Sequence, residues 1–329
     1  MSQNIQKQLM NVIFGCASPC HSKRADKFND AIDTSWKIYA NTSFDDMLDL
    51  AKNLGKFIRE HYPDKTRAYQ IDRDVIQAYM NSKTANWSQD TFGTNYSRIK
   101  KLELCCKHVY FRDKERFDWD MDNVSVPKST KAVTHKKDKP IPMEAARLIL
   151  SDMRENRSET VNAATLSVYL GMRAKETTCL TVKNIHFTKG EFDLGWVQIV
   201  KGPAGGAKGG RPRRIPIMDQ ETHDALKAIV AGKKSDDYIA AKPPDKKGKT
   251  KLEPDTVEGA ICAALKARFG DTYLYNDGHG FRKTFAQRYY DVTREKFDKD
   301  KTISKTNAVL GHGYNRGSQG LKGYVKKMH

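Results

Sequence analysis

The feature that most constrains this chain is a break between residues 123 and 142. The segment NVSVPKSTKAVTHKKDKPIP holds three prolines, the lysines Lys128, Lys131, Lys136, Lys137 and Lys139, and His135, with almost no apolar periodicity. Such a stretch neither continues a helix nor supplies a core strand, so it reads as a basic linker. A chain of 329 residues is also too long for one small core. Two folding units are therefore expected, one on each side of the break.

The upstream unit, residues 43–122, reads as a helical bundle. Ser43 with Asp45 and Asp46 makes a helix start, and Phe44, Met47, Leu48, Ala51, Leu54 and Ile58 follow at helical spacing. Asp72 opens a second helix through Val75, Ile76 and Tyr79. Ser88 opens a third, with Phe92, Tyr96, Ile99, Leu102, Cys106 and Tyr110 on one stripe. Its opposite face carries Arg98, Lys100, Lys101 and Lys107, which suits either solvent or a DNA backbone. Residues 1–42 read as an N-terminal arm or a single helix.

Downstream, residues 143–329 look mixed, mainly α with a small antiparallel β-sheet. Helices are expected over 143–154, 159–171, 219–231, 254–269 and 280–291. Between the second and third lie WVQIV (196–200) and RRIPIM (213–218), strand-like runs joined by a turn rich in Gly and Lys. The charged run DVTREKFDKDKTISKT reads as a surface insertion.

The formal net charge is +18, from 58 Lys+Arg against 40 Asp+Glu. An excess of that size repels itself unless a polyanion neutralises part of it, and nucleic acid is the usual partner. No stretch approaches the roughly 20 apolar residues that span a membrane, and the N-terminus lacks a signal-peptide layout, so a cytoplasmic, nucleoid-associated protein is expected. Six cysteines in a chain of this length do not make a disulfide framework. Cys16, Cys20 and His21 lack the second ligand pair that a zinc finger needs, and no metal is expected.

Four segments of the second unit carry the groups that phosphoryl transfer requires: YLGMRAKE (169–176), VKGPAGGAKGGRPRRIPI (200–217), GHGFRKTFAQRY (278–289) and VLGHGYNRGSQGLKGYV (309–325). Charge that develops on the equatorial oxygens of an attacked phosphodiester must be met by fixed donors, and arginine forks match it bidentately. The leaving oxygen needs a proton donor, and conserving the bond energy needs a protein nucleophile. His279 and Arg282, three residues apart, share one helical face.

In order and content these boxes resemble the tyrosine recombinase (phage integrase) family. GMRAKE is similar to its first arginine box, giving Arg173 with Glu176 in support. AKGGRPRRIPI resembles its hairpin lysine segment, giving Lys208, with Lys201 as the alternative on the same hairpin. HGFR gives His279 and Arg282, LGH gives His312, and Tyr324 fits the nucleophile, with Tyr314 too close to His312 to reach round a phosphate. The resemblance covers 143–329, and the upstream helices are similar only in kind to the family's core-binding domain. Three positions depart from the usual pattern: Tyr324 twelve residues beyond His312, Lys283 where many relatives carry histidine, and the five residues after Tyr324, which leave the usual exchange of a C-terminal helix without an evident segment.

The resemblance implies a site-specific recombinase or integrase of a mobile element. It would cleave and rejoin duplex DNA through a 3′-phosphotyrosyl intermediate and a Holliday junction. It implies a clamp on DNA, a homotetramer on synapsed sites, a possible accessory bending or directionality protein, and no cofactor. Contacts to DNA are expected from Lys201, Arg211, Arg213, Arg214, Lys136, Lys137, Arg98 and Lys101. The competing expectations are a type IB topoisomerase-like nicking and closing enzyme and a DNA-binding protein without catalysis.

Overall fold

In a computed structural model the chain divides into two compact units, Met1–Thr134 and His135–His329. The structure describes residues 4–18, 26, 33–131, 140–156, 158–200, 212–273, 278–326 and 328. The expected contacts Lys136, Lys137, Lys201 and Arg211, and the expected general acid Lys208, lie outside the described residues, as do Cys20 and His21.

The first unit is built on helices α1 (Ile5–Cys16), α2 (Asn41–His61), α3 (Arg73–Asn81) and α4 (Gln89–Val109). Asn4 caps α1 by accepting from the Lys7 amide, and Leu9, Val12 and Ile13 are fully buried in the same core as Leu54, Ile58 and Ile99. The early residues are thus part of the bundle and not a separate arm. Their close packing has a backbone cause. A Cβ on Gly55 of α2 would stand 2.5 Å from the Gln6 Cα, so only glycine lets α1 approach this far. Asp72 and Ser88 cap α3 and α4 through the Val75 and Thr91 amides. The start of α2 departs from the reading: it begins at Asn41, two residues before Ser43, on an Ala40 cap that makes no side-chain hydrogen bond.

The second unit starts with α5 (Met143–Glu155) and α6 (Val161–Leu170). Ala163 through Leu170 are all buried, the pattern of a central helix wrapped by others. The short α7 (Ala174–Thr177) leads into a sheet ordered β1 (Ile185–His186), β2 (Trp196–Ile199), β3 (Arg213–Pro216), antiparallel throughout. β2 alternates half-buried Trp196 and Gln198 with buried Val197 and Ile199, as a strand with one core face must. Helices α8 (Gln220–Val230), α9 (Pro254–Phe269), α10 (Gly278–Arg294) and α11 (Lys299–Val309) complete it. One core gathers α6, the sheet and α10; a second gathers α5, α9 and the other face of α6.

α11 corrects the reading of 291–306 as a surface insertion. Asp298 caps the helix through the Lys301 amide, and Thr302, Ile303, Thr306 and Asn307 are buried in its interior face. Threonines at positions 302 and 306 hide the periodicity from a reading that counts apolar residues. No helix among the described residues is long and apolar enough to cross a membrane.

Candidate active site

Five chain segments of the second unit converge on one cluster, and the first is set by a glycine. α6 ends at Gly171 in the left-handed region (φ 58°), where a Cβ would meet the Phe285 ring at 2.7 Å. The chain can therefore turn tightly against α10 and place Arg173 at the start of α7. Glu176, one turn on and fully buried, accepts from the Arg173 amide (2.9 Å) and from its Nη1 (2.9 Å).

Glu176 also receives a second arginine. Arg213 of β3 forks onto both carboxylate oxygens at 2.8 Å and donates Nε to the Val309 carbonyl at 2.6 Å. Burial works to raise the Glu176 carboxyl. The hydrogen bonds and charge of Arg213, with the Arg282 charge and the Arg173 amide, overcome it and bring the group down to about 2. It is ionised at neutral pH. Arg213 was expected on DNA, and the structure corrects this: its side chain is 6% exposed and its donors are engaged inside the protein.

Arg282, on the first turns of α10, is 1% exposed. Its Nη1 donates to the Gly171 carbonyl at 2.5 Å and its Nη2 to the Leu310 carbonyl, which also accepts from Arg173 Nη2 at 3.4 Å. Its Nε has no partner among the described residues. Burial first, then the like charges of Arg173 and Arg213, lower the guanidinium to about 10, still cationic at neutral pH. Arg173 is the more accessible of the pair, with 23% of its side chain exposed.

His312 follows α11 between Gly311 (φ 71°) and Gly313 (φ 88°), backbone angles that a side chain disfavours. Burial, then the charges of Arg282, Arg173 and Arg316, lower its pKa to about 4, and a hydrogen bond to the Gly320 backbone works the other way. The imidazole is therefore neutral at physiological pH. Two short turns, Tyr314–Arg316 and Ser318–Gly320, then bring the chain back. Asn307 of α11 anchors them by donating Nδ2 to the Gly317 carbonyl at 2.8 Å. They set Tyr324 between the two histidines, its ring centroid 5.0 Å from His312 and 5.2 Å from His279, with the Arg282 guanidinium 5.8 Å away. Tyr314 is 66% exposed.

The structure thus brings Arg173, Glu176, His279, Arg282, His312 and Tyr324 together. Arg213 is the member the sequence reading misplaced, and its signal was the strand itself: the residue two before buried Ile215 points to the same face. Arg214 is exposed, its guanidinium over the Trp196 ring at 4.9 Å. In the first unit, Arg98 pairs with Asp46 and donates to Asn95, while Lys101 donates to the Ser35 carbonyl, so both are engaged internally. Among the described residues no group of three or more His, Cys, Asp or Glu is placed to hold a metal ion. Cys16 is buried, its thiol 3.8 Å from the Cys105 carbonyl.

Two arginines, two imidazoles and a tyrosine are thus gathered into one cluster on this α+β fold. Residues 139–298, just under half of the chain, match the phage integrase family. The match includes Arg173, Glu176, Arg213, His279 and Arg282; His312 and Tyr324, beyond its end, join them in the structure. Solved structures carry the same fold. XerH recombinase bound to a palindromic difH substrate aligns with TM-score 0.61 at 13% identity, covering 98% of this chain and 96% of that one. The Tn1549 transposon integrase with a circular intermediate DNA gives 0.57 at 13% identity, over 98% and 96%. A lambda integrase dimer on a core site gives 0.53 at 16% identity, over 92% and 75%. No curated relative matches the chain by sequence.

Proposed function

We infer that Tyr324 is the nucleophile of a strand-transfer reaction on DNA phosphodiesters. The observation that carries this is the seat of its ring between His279 and His312, beside an Arg282 whose Nε is buried without a partner among the described residues. A buried cationic donor is costly unless it meets an acceptor, and a non-bridging phosphate oxygen would be one. Arg173 would hold the other oxygen, Glu176 fixing its direction.

In the attack a bond forms between the Tyr324 oxygen and phosphorus while the bond to the 5′ oxygen breaks. Neutral His312 can take the tyrosine proton. Lys208, from the segment leading into β3, is the proposed donor to the departing 5′ oxygen. The 3′-phosphotyrosyl ester keeps the bond energy, and a 5′ hydroxyl of a partner duplex reverses the step. Four protomers on two synapsed sites, passing through a Holliday junction, are the proposed assembly. An accessory protein for direction and residence on the nucleoid complete the proposal.

The test is cleavage of nicked suicide duplexes carrying the element's end sequences, in EDTA, by wild type and Tyr324→Phe. A covalent adduct made by wild type and absent from the variant is the expected result. An adduct that survives the substitution would reassign the nucleophile, Tyr314 first. Binding without any adduct would leave a DNA-binding protein.

A further inference from the structure

We propose that Arg213 is a positioning residue of the cleavage reaction, locking the carboxylate that aims Arg173 and tying strand β3 to the helix end that presents His312. The proposal rests on the reading of the cluster as a strand-transfer site. Its basis is a closed circuit of contacts. Arg213 spends Nη1 and Nη2 on the two oxygens of Glu176, each at 2.8 Å, and Nε on the Val309 carbonyl at 2.6 Å. Glu176 holds Arg173 through the amide and Nη1, both at 2.9 Å. The Leu310 carbonyl, one residue after Val309, accepts from both Arg173 and Arg282. Arg173 and Arg282 thus share the Leu310 carbonyl, Arg173 and Arg213 share the Glu176 carboxylate, and Arg213 closes the ring through the adjoining Val309 carbonyl.

The geometry is tight at the crossing of β3 and the turn after α11. A Cβ on Gly311 would lie 3.2 Å from Arg213 Nη1 and 3.4 Å from its Cδ, on a residue at φ 71°. His312 follows directly, so a shift of the Arg213 fork moves the backbone that carries the histidine. A lysine cannot replace Arg213: one ammonium lacks the planar fork that meets two carboxylate oxygens and a carbonyl together. Misplacement of reacting groups by about 1 Å costs about 100-fold in rate, which sets the size of the effect.

The experiment uses the full chain with Arg213→Met, Arg213→Lys and Tyr324→Phe beside wild type. Kd for a labelled duplex across a salt series and the single-turnover rate of adduct formation on suicide duplex are read separately, with thermal melting as the check on folding. The expected result is an unchanged Kd and salt slope with adduct formation slowed about 100-fold in both Arg213 variants, because lysine restores charge but not the fork. A rate equal to wild type in a folded variant overturns the proposal. So does a weakened Kd with a shallower salt slope at an unchanged rate, which would make Arg213 a phosphate contact. Failure of both variants to fold overturns it too, in favour of a purely structural pair. If wild type makes no adduct while binding DNA, the strand-transfer reading itself has failed; a normal wild type with normal Arg213 variants sinks only this inference.

Discussion

Three guanidinium groups press their charge on one carboxylate that water does not reach: Arg173 and Arg213 in contact with Glu176, and Arg282 through its field. A buried ion pair is weak evidence of stability, yet removing one partner leaves an uncompensated charge and is expensive. Glu176→Gln keeps the shape and loses the charge, so the Arg213 fork faces an amide with one acceptor. We expect a loss of about 3 kcal/mol, a melting temperature lower by about 10 °C, and near-complete loss of adduct formation, checked by calorimetry and by the suicide-duplex assay. The same residues set the response to acid. Glu176 is held at about 2 against an ordinary 4.5, so its contribution is complete above 4.5 and drains away as pH falls towards 2. His312 is buried neutral at about 4 against 6.5, so the unfolded chain binds its proton first and stability declines as pH falls from 6.5 to 4. Both slopes have one sign. Wild type should melt lower at each step of acidification below 6.5, and His312→Gln should flatten the upper part of that decline.

At the scale of elements, the site depends on α11 and the two turns after it. Asn307 is fully buried and anchors the Gly317 carbonyl; a Cβ on Gly320 would collide with its Oδ1 at 2.3 Å. Gly320 is also the backbone partner of the His312 ring. Gly320→Ala should therefore push the Tyr324 arm outward, slowing adduct formation at least tenfold, about 1.4 kcal/mol of misplacement, with DNA affinity retained. Gel-resolved single-turnover cleavage beside a binding titration checks it, and an unchanged rate would show that the arm tolerates the shift. This element also shows where the sequence was opaque. The helices of the first unit were legible because Leu, Ile and Phe recur at helical spacing behind the caps Asp72 and Ser88. α11 hides its buried face in threonines and an asparagine, so its run of charges read as an insertion. The site boxes were legible because their residue types are chemically rare together. The role of Arg213 was not, because its partner Glu176 is 37 residues away in sequence and only the crossing of β3 with α7 joins them. The gap from His312 to Tyr324, longer than the family usually shows, is taken up by two short turns that fold the chain back.

On the scale of the whole molecule, the count of 58 lysines and arginines overstates what DNA can use. Arg98 is neutralised by Asp46, Lys100 by Asp122, Lys107 by Glu103, Arg147 by Glu221 and Arg213 by Glu176. A cation already paired with a carboxylate releases no counterion from DNA unless the pair first breaks. The phosphate term should come from basic groups without an acid against them, of which exposed Arg214 of β3, stacked on Trp196, is the best described. Binding should weaken steeply with salt, each phosphate met contributing about 0.9 to the slope of log K against log salt. Arg214→Ala should lower that slope by about one, alike for specific and unrelated duplexes. Arg98→Ala should leave it unchanged, since an Arg98 held by Asp46 meets no phosphate. Fluorescence titrations over a salt series decide it. A slope that falls for Arg98→Ala would mean the Asp46 pair opens on DNA and that the basic face of α4 lies along the backbone after all.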